Sequence, residues 1–423
     1  MMGRPHMPGP MPSGGPSSRG WLAPFSSLRV RHYRWLWIGI FFFFNGMQMQ
    51  AVAGGWLVYT MSNSALSLGL VTSGWAFPIL ALSLYGGAVA DRVRKRNLLL
   101  VTQVCSVLVT LVITVLITTK MIALWHLFVS SFVFGTIFSF AMPARQAFVV
   151  ELVGKDDLLN AVALSSVAMN ICRIGSPALA GVLLKFIGIP GVYWLILISY
   201  TVVALTTLMI PADAGGTMAA KPDVPVLQDV LVGLRYVWRS KVILTLLAMA
   251  FVPILVAMPY QMLMPVFART VYRAGETGLG LLMSAVGLGA LCGSTFLASF
   301  AHMERKGVMM LAAGFVFGLF LMFLGLASGL SPAAVSLLFV GAGSSIYLAL
   351  NNTMLMSHTP DELIGRVMSI FMMTWGLTPL GTLPAGALAE VIGAPLTVMI
   401  GGGIFFVFLL GVLVVYPDVR KLS

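Results

Sequence analysis

The feature that most constrains this chain is a succession of apolar runs close to twenty residues long. Twelve can be drawn, over 35–59, 68–90, 97–119, 121–143, 161–186, 190–210, 242–266, 279–301, 308–328, 333–356, 367–391 and 395–416. At a rise of ~1.5 Å per residue, most are long enough to cross a hydrocarbon core roughly 30 Å thick. Inside lipid each segment must satisfy its own backbone hydrogen bonds, which makes every run a helix. The predicted fold is therefore an all-α membrane protein of twelve transmembrane helices. A mean hydropathy of +0.98 excludes a soluble globule.

The charges report orientation. A net charge of +12 would suit a nucleic-acid binder if the cations formed one soluble face. They are instead scattered through short connections, so no nucleic-acid partner is expected. With the N-terminal tail inside, twenty of the 25 Lys and Arg fall on the inner side. They include Arg29, Arg31 and Arg34 before the first run, Arg92 to Arg96 after the second, and Arg145 and Lys155 after the fourth. Lys and Arg concentrate on the cytoplasmic side, so the chain reads as a multi-pass protein of the cell (inner) membrane with both termini cytoplasmic. Cys105, Cys172 and Cys292 all lie in apolar runs without metal-ligand spacing. They read as free, small core residues, and neither cofactor nor metal is expected.

Residues 1–34, rich in Pro, Gly, Ser and Met, read as a disordered cytoplasmic tail without the apolar core of a signal peptide. The stretch 211–241 is the long polar break between helices. It starts as a linker and ends, from Val226 to Lys241, with the periodicity of an amphipathic surface helix. It separates six helices over 35–210 from six over 242–416, and 417–423 is a cytoplasmic tail. A shift of 205 residues lays Asp156-Asp-Leu158 over Asp361-Glu-Leu363, and Ala180-Gly181 to Pro190 over Ala385-Gly386 to Pro395. The two halves are thus expected to be pseudo-symmetric repeats of the same orientation.

The densest charge lies in Gly86-Gly87-Ala88-Val89-Ala90-Asp91-Arg92-Val93-Arg94-Lys95-Arg96. This stretch resembles the loop between the second and third helices of the major facilitator superfamily. Gly87, Asp91, Arg92, Lys95 and Arg96 match, and Arg94 replaces the usual glycine. The resemblance implies that Asp91 latches the inner gate against the start of the eleventh segment near Gly365, Arg366 and Ser369. An exposed helix N-terminus favours a carboxylate there. A topology anchor is the plainer role. The fifth segment carries Arg173, Gly175, Pro177 and Gly181, similar to the Gly-Pro-rich motif of exporters in that superfamily, with Ser176 in place of a glycine. With Trp56 to Tyr59, Pro143-Ala-Arg145, Glu151 and Gly365-Arg366, the whole resembles its enterobactin-exporter-like branch, which includes drug exporters.

Polar groups at mid-depth mark a pathway, because lipid disfavours them. Phe41, Asn45, Gln48 and Met49 in the first segment, and Asn170 and Arg173 in the fifth, are candidates. Ser344, Tyr347 and Asn351 in the tenth and Met372 and Trp375 in the eleventh complete an adaptable, amphipathic cavity. The expected function is export of an amphipathic small molecule, of drug or siderophore class, by rocking of the two halves. Proton coupling is what the resemblance implies, since no Asp or Glu sits at the centre of a segment. A carrier for an anionic metabolite or lipid is the alternative that the lone Arg173 suggests. A non-transporting receptor or a membrane enzyme finds no support in domain size or in any nucleophile–base cluster. A monomer in the bilayer is expected. The resemblance implies that the fifth segment packs on the eighth and the eleventh on the second, with Lys185 within reach of Glu276.

Overall fold

The computed structural model describes residues 27–154, 157–212, 214, 235–299, 305–360 and 363–421. For Leu84, Ala88, Asp91, Leu159, Gly365, Ser369 and Lys421 only the backbone is described. Most of the N-terminal tail, most of the central linker and the Asp91 carboxylate therefore lie outside the described residues. The same holds for most of the amphipathic segment, of which 235–239 is helical.

Among the described residues, ten helices are long and apolar enough to cross a membrane. One of them, Leu158–Leu208, is two crossings folded back at Gly188, whose φ of 67° is open to glycine and costly for other residues. One further segment, 364–392, is broken into two short helices, so twelve crossings result. In chain order they are α1 Arg31–Ser62, α2 Ala65–Arg92, α3 Lys95–Thr118 and α4 Leu124–Val153, then α5 158–187 and α6 189–208. The second half begins with α7 Lys241–Val256, followed by α8 Gly275–Ser299, α9 Lys306–Leu326 and α10 Leu330–Ser357. It ends with α11, in pieces Ile364–Gly376 and Pro379–Ile392, and α12 Ala394–Val415.

Three differences from the expected segments matter. First, α1 begins at Arg31 rather than near residue 35. Second, α4 runs ten residues beyond its apolar run, with Pro143 inside it, so Arg145 is a buried helical residue and no loop cation. A single proline is tolerated because neighbouring helices and side chains re-satisfy the freed carbonyl. Third, α7 loses regular winding after Val256. It continues through 3₁₀ turns at Met258–Gln261 and a π turn at Phe267–Val271, in a stretch holding Pro253, Pro259 and Pro265.

Both described termini lie at one end of the bundle, here the terminus side. There Ser27 donates its N–H to Asn160 and Tyr33 its hydroxyl to the Ala161 carbonyl at 2.7 Å, while Gly307 lies against the Val419 backbone. The opposite end is the far side. The two halves meet along two seams, α5 on α8 and α2 on α11, as the resemblance implied. Both are backbone-to-backbone contacts. A Cβ placed on Gly280 would stand 2.7 Å from the Pro177 carbonyl oxygen, and one on Gly386 2.8 Å from that of Ala65. Small residues let membrane helices approach this closely.

Within the first half, α3 carries a ladder of hydroxyls. Ser106, Thr110, Thr114 and Thr118 each donate to the carbonyl four residues earlier, at 2.7–2.9 Å. The helix satisfies these polar groups by itself. Near its start Arg96 donates to the carbonyls of Ile210 and Leu208 beside α6, and near its other end the Thr114 hydroxyl, already donating within α3, also lies 3.4 Å from the Tyr193 carbonyl of α6. Cys172 is buried on α5, with its Sγ 3.3 Å from the Phe41 carbonyl. Cys105 and Cys292 face outward, which corrects the expectation of three core thiols.

Candidate functional site

Between the halves lies a cavity of about 450 Å³. The first half lines it from α1, α2, α4 and α6, notably with Phe43, Gln48, Gln50, Trp75, Tyr193 and Tyr200. The second half contributes Gln261, Met262 and Pro265 from the irregular part of α7, and Met283 from α8. Gln261 and Met262 reach the wall from the end of the 3₁₀ turn at Met258–Gln261. The wall is chiefly aromatic and aliphatic, with amides and hydroxyls as its polar points and no charged residue. Such a surface binds by apolar contact and orients by a few hydrogen bonds.

Glycines set the shape. Gly46 and Gly54 of α1 lie against the Tyr200 and Tyr193 rings, at 3.2 Å and 3.3 Å from the nearest ring or hydroxyl atoms to a built Cβ. Tyr200 donates its hydroxyl to the Gln50 amide oxygen at 2.9 Å, and its ring packs on Phe134 and Phe43. On the other face of that cluster the Arg145 guanidinium carbon stands 3.8 Å from the Phe43 ring centroid.

The far side of the cavity is closed across the halves. Tyr59 on α1 shares a 2.7 Å hydrogen bond with Thr270, and Arg269 donates to the Tyr59 carbonyl at 3.1 Å. Glu390 of α11 accepts from the Ser64 hydroxyl and, at 3.2 Å, from the Leu66 N–H, next to the start of α2. Replacing Tyr59 by Phe removes one of these cross-half bonds, worth about 0.5–1.5 kcal/mol. A modest rise in the far-side-open population is expected, read as a distance distribution between spin labels at residues 61 and 273. An unchanged distribution would show that this bond does not hold the closure.

The predicted cavity residues separate. Gln48 lines the cavity, whereas Tyr347 and Asn351 are fully buried against α7. Tyr347 donates to the Met249 carbonyl at 2.6 Å, and Asn351 to that of Leu246 at 3.0 Å. Ser344 bonds back to the Gly341 carbonyl within α10. Met49 is in the core, Phe41 stacks on Trp37, and Met372 is half exposed. Asn45 keeps a buried, unpartnered amide oxygen, while Asn170 and Trp375 are half-buried. None of these except Gln48 lines the cavity. Arg173 is half-buried at the α5–α8 seam, its carbonyl against Gly287.

The motif residues also divide. Gly181 packs on Gly280 and on the Glu276 backbone beside Pro177, but a Cβ on Gly175 would meet nothing within 4 Å. The charged stretch is no extended loop but is helical except at Val93 and Arg94, and its close-packed glycine is Gly86, against the Ser139 carbonyl, while Gly87 has open space. Lys95 is buried and pairs with Glu151 at 3.0 Å, off the axis of a formal hydrogen bond. Arg92 is exposed and Arg366 half-buried. Lys185 is exposed and forms no ion pair with Glu276, because α5 meets residue 276 through Gly181 rather than through a side chain.

The cavity's aromatic wall had a signal that polarity alone misses. Tyr193 and Tyr200, one heptad apart on α6, face Gly54 and Gly46, spaced by eight on α1.

Comparison with known proteins gives one family. Residues 22–422 match the model of the transmembrane secretion effector family. A staphyloferrin A transporter of Staphylococcus aureus is 28% identical over 86% of this chain and 90% of its own length. The multidrug efflux pump Tap of Mycolicibacterium fortuitum is 25% identical, covering 89% and 94%. The enterobactin exporter EntS of Shigella dysenteriae is 26% identical, covering 83% of each. A crystal structure of a POT family transporter in complex with 5-aminolevulinic acid superposes with a TM-score of 0.75 over 92% of this chain and 96% of that one. At 13% identity it reports the shared fold alone.

Proposed function

Because the chain belongs to the transmembrane secretion effector family of the major facilitator superfamily and is a multi-pass membrane transporter, we propose that it exports an amphipathic small molecule, of drug or siderophore class, by alternating access. The observation that carries this reading is the aromatic, uncharged cavity between the halves, closed at its far side by Tyr59–Thr270 and Glu390–Leu66. A cavity bridging two halves that meet on backbone contacts can open to either side by rocking, without breaking either half's core. Similarity to an efflux pump and to an exporter supports the outward direction. Proton coupling enters through the family resemblance.

Flux from proteoliposomes tests the reading. N-phenyl-1-naphthylamine and 2-naphthamide serve as neutral amphipathic probes and 2-naphthoate as an anionic one, each with and without an imposed pH gradient. Protein-dependent flux that rises with the gradient is the expected result. Flux indifferent to the gradient would remove proton coupling, and no protein-dependent flux of any probe would count against transport of this class.

The reading includes an inner-membrane location with both termini cytoplasmic. Once the three native cysteines are replaced, a cysteine at residue 275 is expected to react in intact cells with an impermeant thiol reagent. Cysteines at residues 1 and 423 are expected to stay silent, and labelling of either terminus would reverse the orientation.

A further inference from the structure

Among the described residues, Arg145 is a cation without a counter-charge. It is 6% exposed, and its Nη1 has no hydrogen-bond partner. The nearest carboxylate along α4, Glu151, is already paired with Lys95. With α4 ending at Val153, Arg145 lies about 12 Å inside that end of the helix at 1.5 Å per residue. Buried membrane charges are expensive and normally paired, and an uncompensated one marks a functional group. Its observed neighbour is the Phe43 ring, 3.8 Å away, and Phe43 is itself a wall residue of the cavity. Arg145 is not in that wall. The ring thus stands between an uncharged cavity and a single buried guanidinium, and holds the cation by its π face in the empty protein.

We propose that Arg145 is the anion-binding group of this cavity, uncovered when the Phe43 ring swings aside, so that the transported amphiphile carries a carboxylate or comparable anionic group. The proposal rests on the export reading and names its substrate class. On binding, the anion replaces the ring as partner of the guanidinium, and charge-assisted hydrogen bonds replace a cation–π contact. The aromatic wall of Trp75, Phe134 and Tyr200 then holds the apolar body. The amides of Gln48 and Gln50 supply neutral polar points.

The test uses 2-naphthoate and 2-naphthamide, which share size and ring and differ in charge, on the purified full chain. Wild-type protein is expected to bind the naphthoate about tenfold more tightly or better. Arg145→Gln should erase that preference while leaving the naphthamide affinity within about twofold, and Arg145→Lys should keep part of it. Because removing an unpaired buried charge relieves a cost, Arg145→Met should raise the ligand-free Tm, an effect opposite to that of losing a structural arginine. Phe43→Trp, a bulkier partition, should weaken naphthoate more than naphthamide and provides a second arm if an Arg145 variant fails to fold. Equal affinities in wild type, parallel losses of both probes in Arg145→Gln, or binding of neither probe would overturn the assignment. Naphthamide flux in the proteoliposome assay remains a separate measure of the export reading.

Discussion

Valine at position 280 is expected to abolish transport while leaving an inserted and folded protein. A Cβ there would lie 2.7 Å from the Pro177 carbonyl oxygen and 3.0 Å from the Gly181 Cα. These are backbone atoms, which cannot swing away as a side-chain tip could. Overpacking of this kind costs about 1–3 kcal/mol. The cost falls on the contact between halves, since Gly280 and the Pro177–Gly181 backbone lie on opposite sides of it. The population should therefore move about five- to 150-fold from the far-side-closed arrangement, and a transporter held in one arrangement does not turn over. Gly181→Val should behave alike, because a Cβ there meets the Glu276 carbonyl oxygen at 2.7 Å. Gly175→Val is the control, with nothing within 4 Å, and should transport normally. Flux together with far-side label distances reads all three. Wild-type flux in Gly280→Val would mean the seam is looser than its geometry.

The second large effect concerns Lys95 and Glu151, 3% and 7% exposed and 3.0 Å apart. Lys95 opens α3 and Glu151 sits in the last turn of α4, so each charge is at the helix end whose dipole opposes it. Each is stabilised by the other. Glu151→Leu strands a buried ammonium and is expected to cost about 3–5 kcal/mol, as is Lys95→Met for the carboxylate. The double variant Lys95→Met/Glu151→Leu should recover most of that loss, since a packed apolar pair of similar volume is often neutral or better. Thermal unfolding of the four proteins gives the coupling. Additive single effects within about 0.5 kcal/mol would mean that water reaches the pair.

The contrast between these two sites shows what was legible in the sequence. The twelve crossings were, because lipid forces a length and an apolarity that composition cannot hide. The Gly181 seam was too, because close helix contact demands small residues. Gly175, identical in type and six residues earlier, has no contact at all, and nothing local separates the two. The winding lost after Val256 was not legible, since Pro253, Pro259 and Pro265 sit in an unbroken apolar run and proline is tolerated in membrane helices. The cavity was the least legible part. Tyr347 and Asn351 looked like pathway residues because they are polar, but their hydrogen-bond donors are spent on α7 carbonyls. Arg145 looked like a loop cation because Pro143 precedes it and apolarity fades there. Its burial depends on Phe43, more than a hundred residues away in sequence.

The hydroxyl ladder of α3 has a mechanical consequence. Hydroxyls that bond back to their own helix compete for its carbonyls and ease bending. Four such donors follow one another down α3, while Arg96 and Thr114 fasten it to α6 near its two ends. A beam clamped at both ends and softened along its span bows when loaded. When the first half changes curvature, α3 will therefore act as its leaf spring, spreading over several turns a deformation that a hinge would confine to one loop.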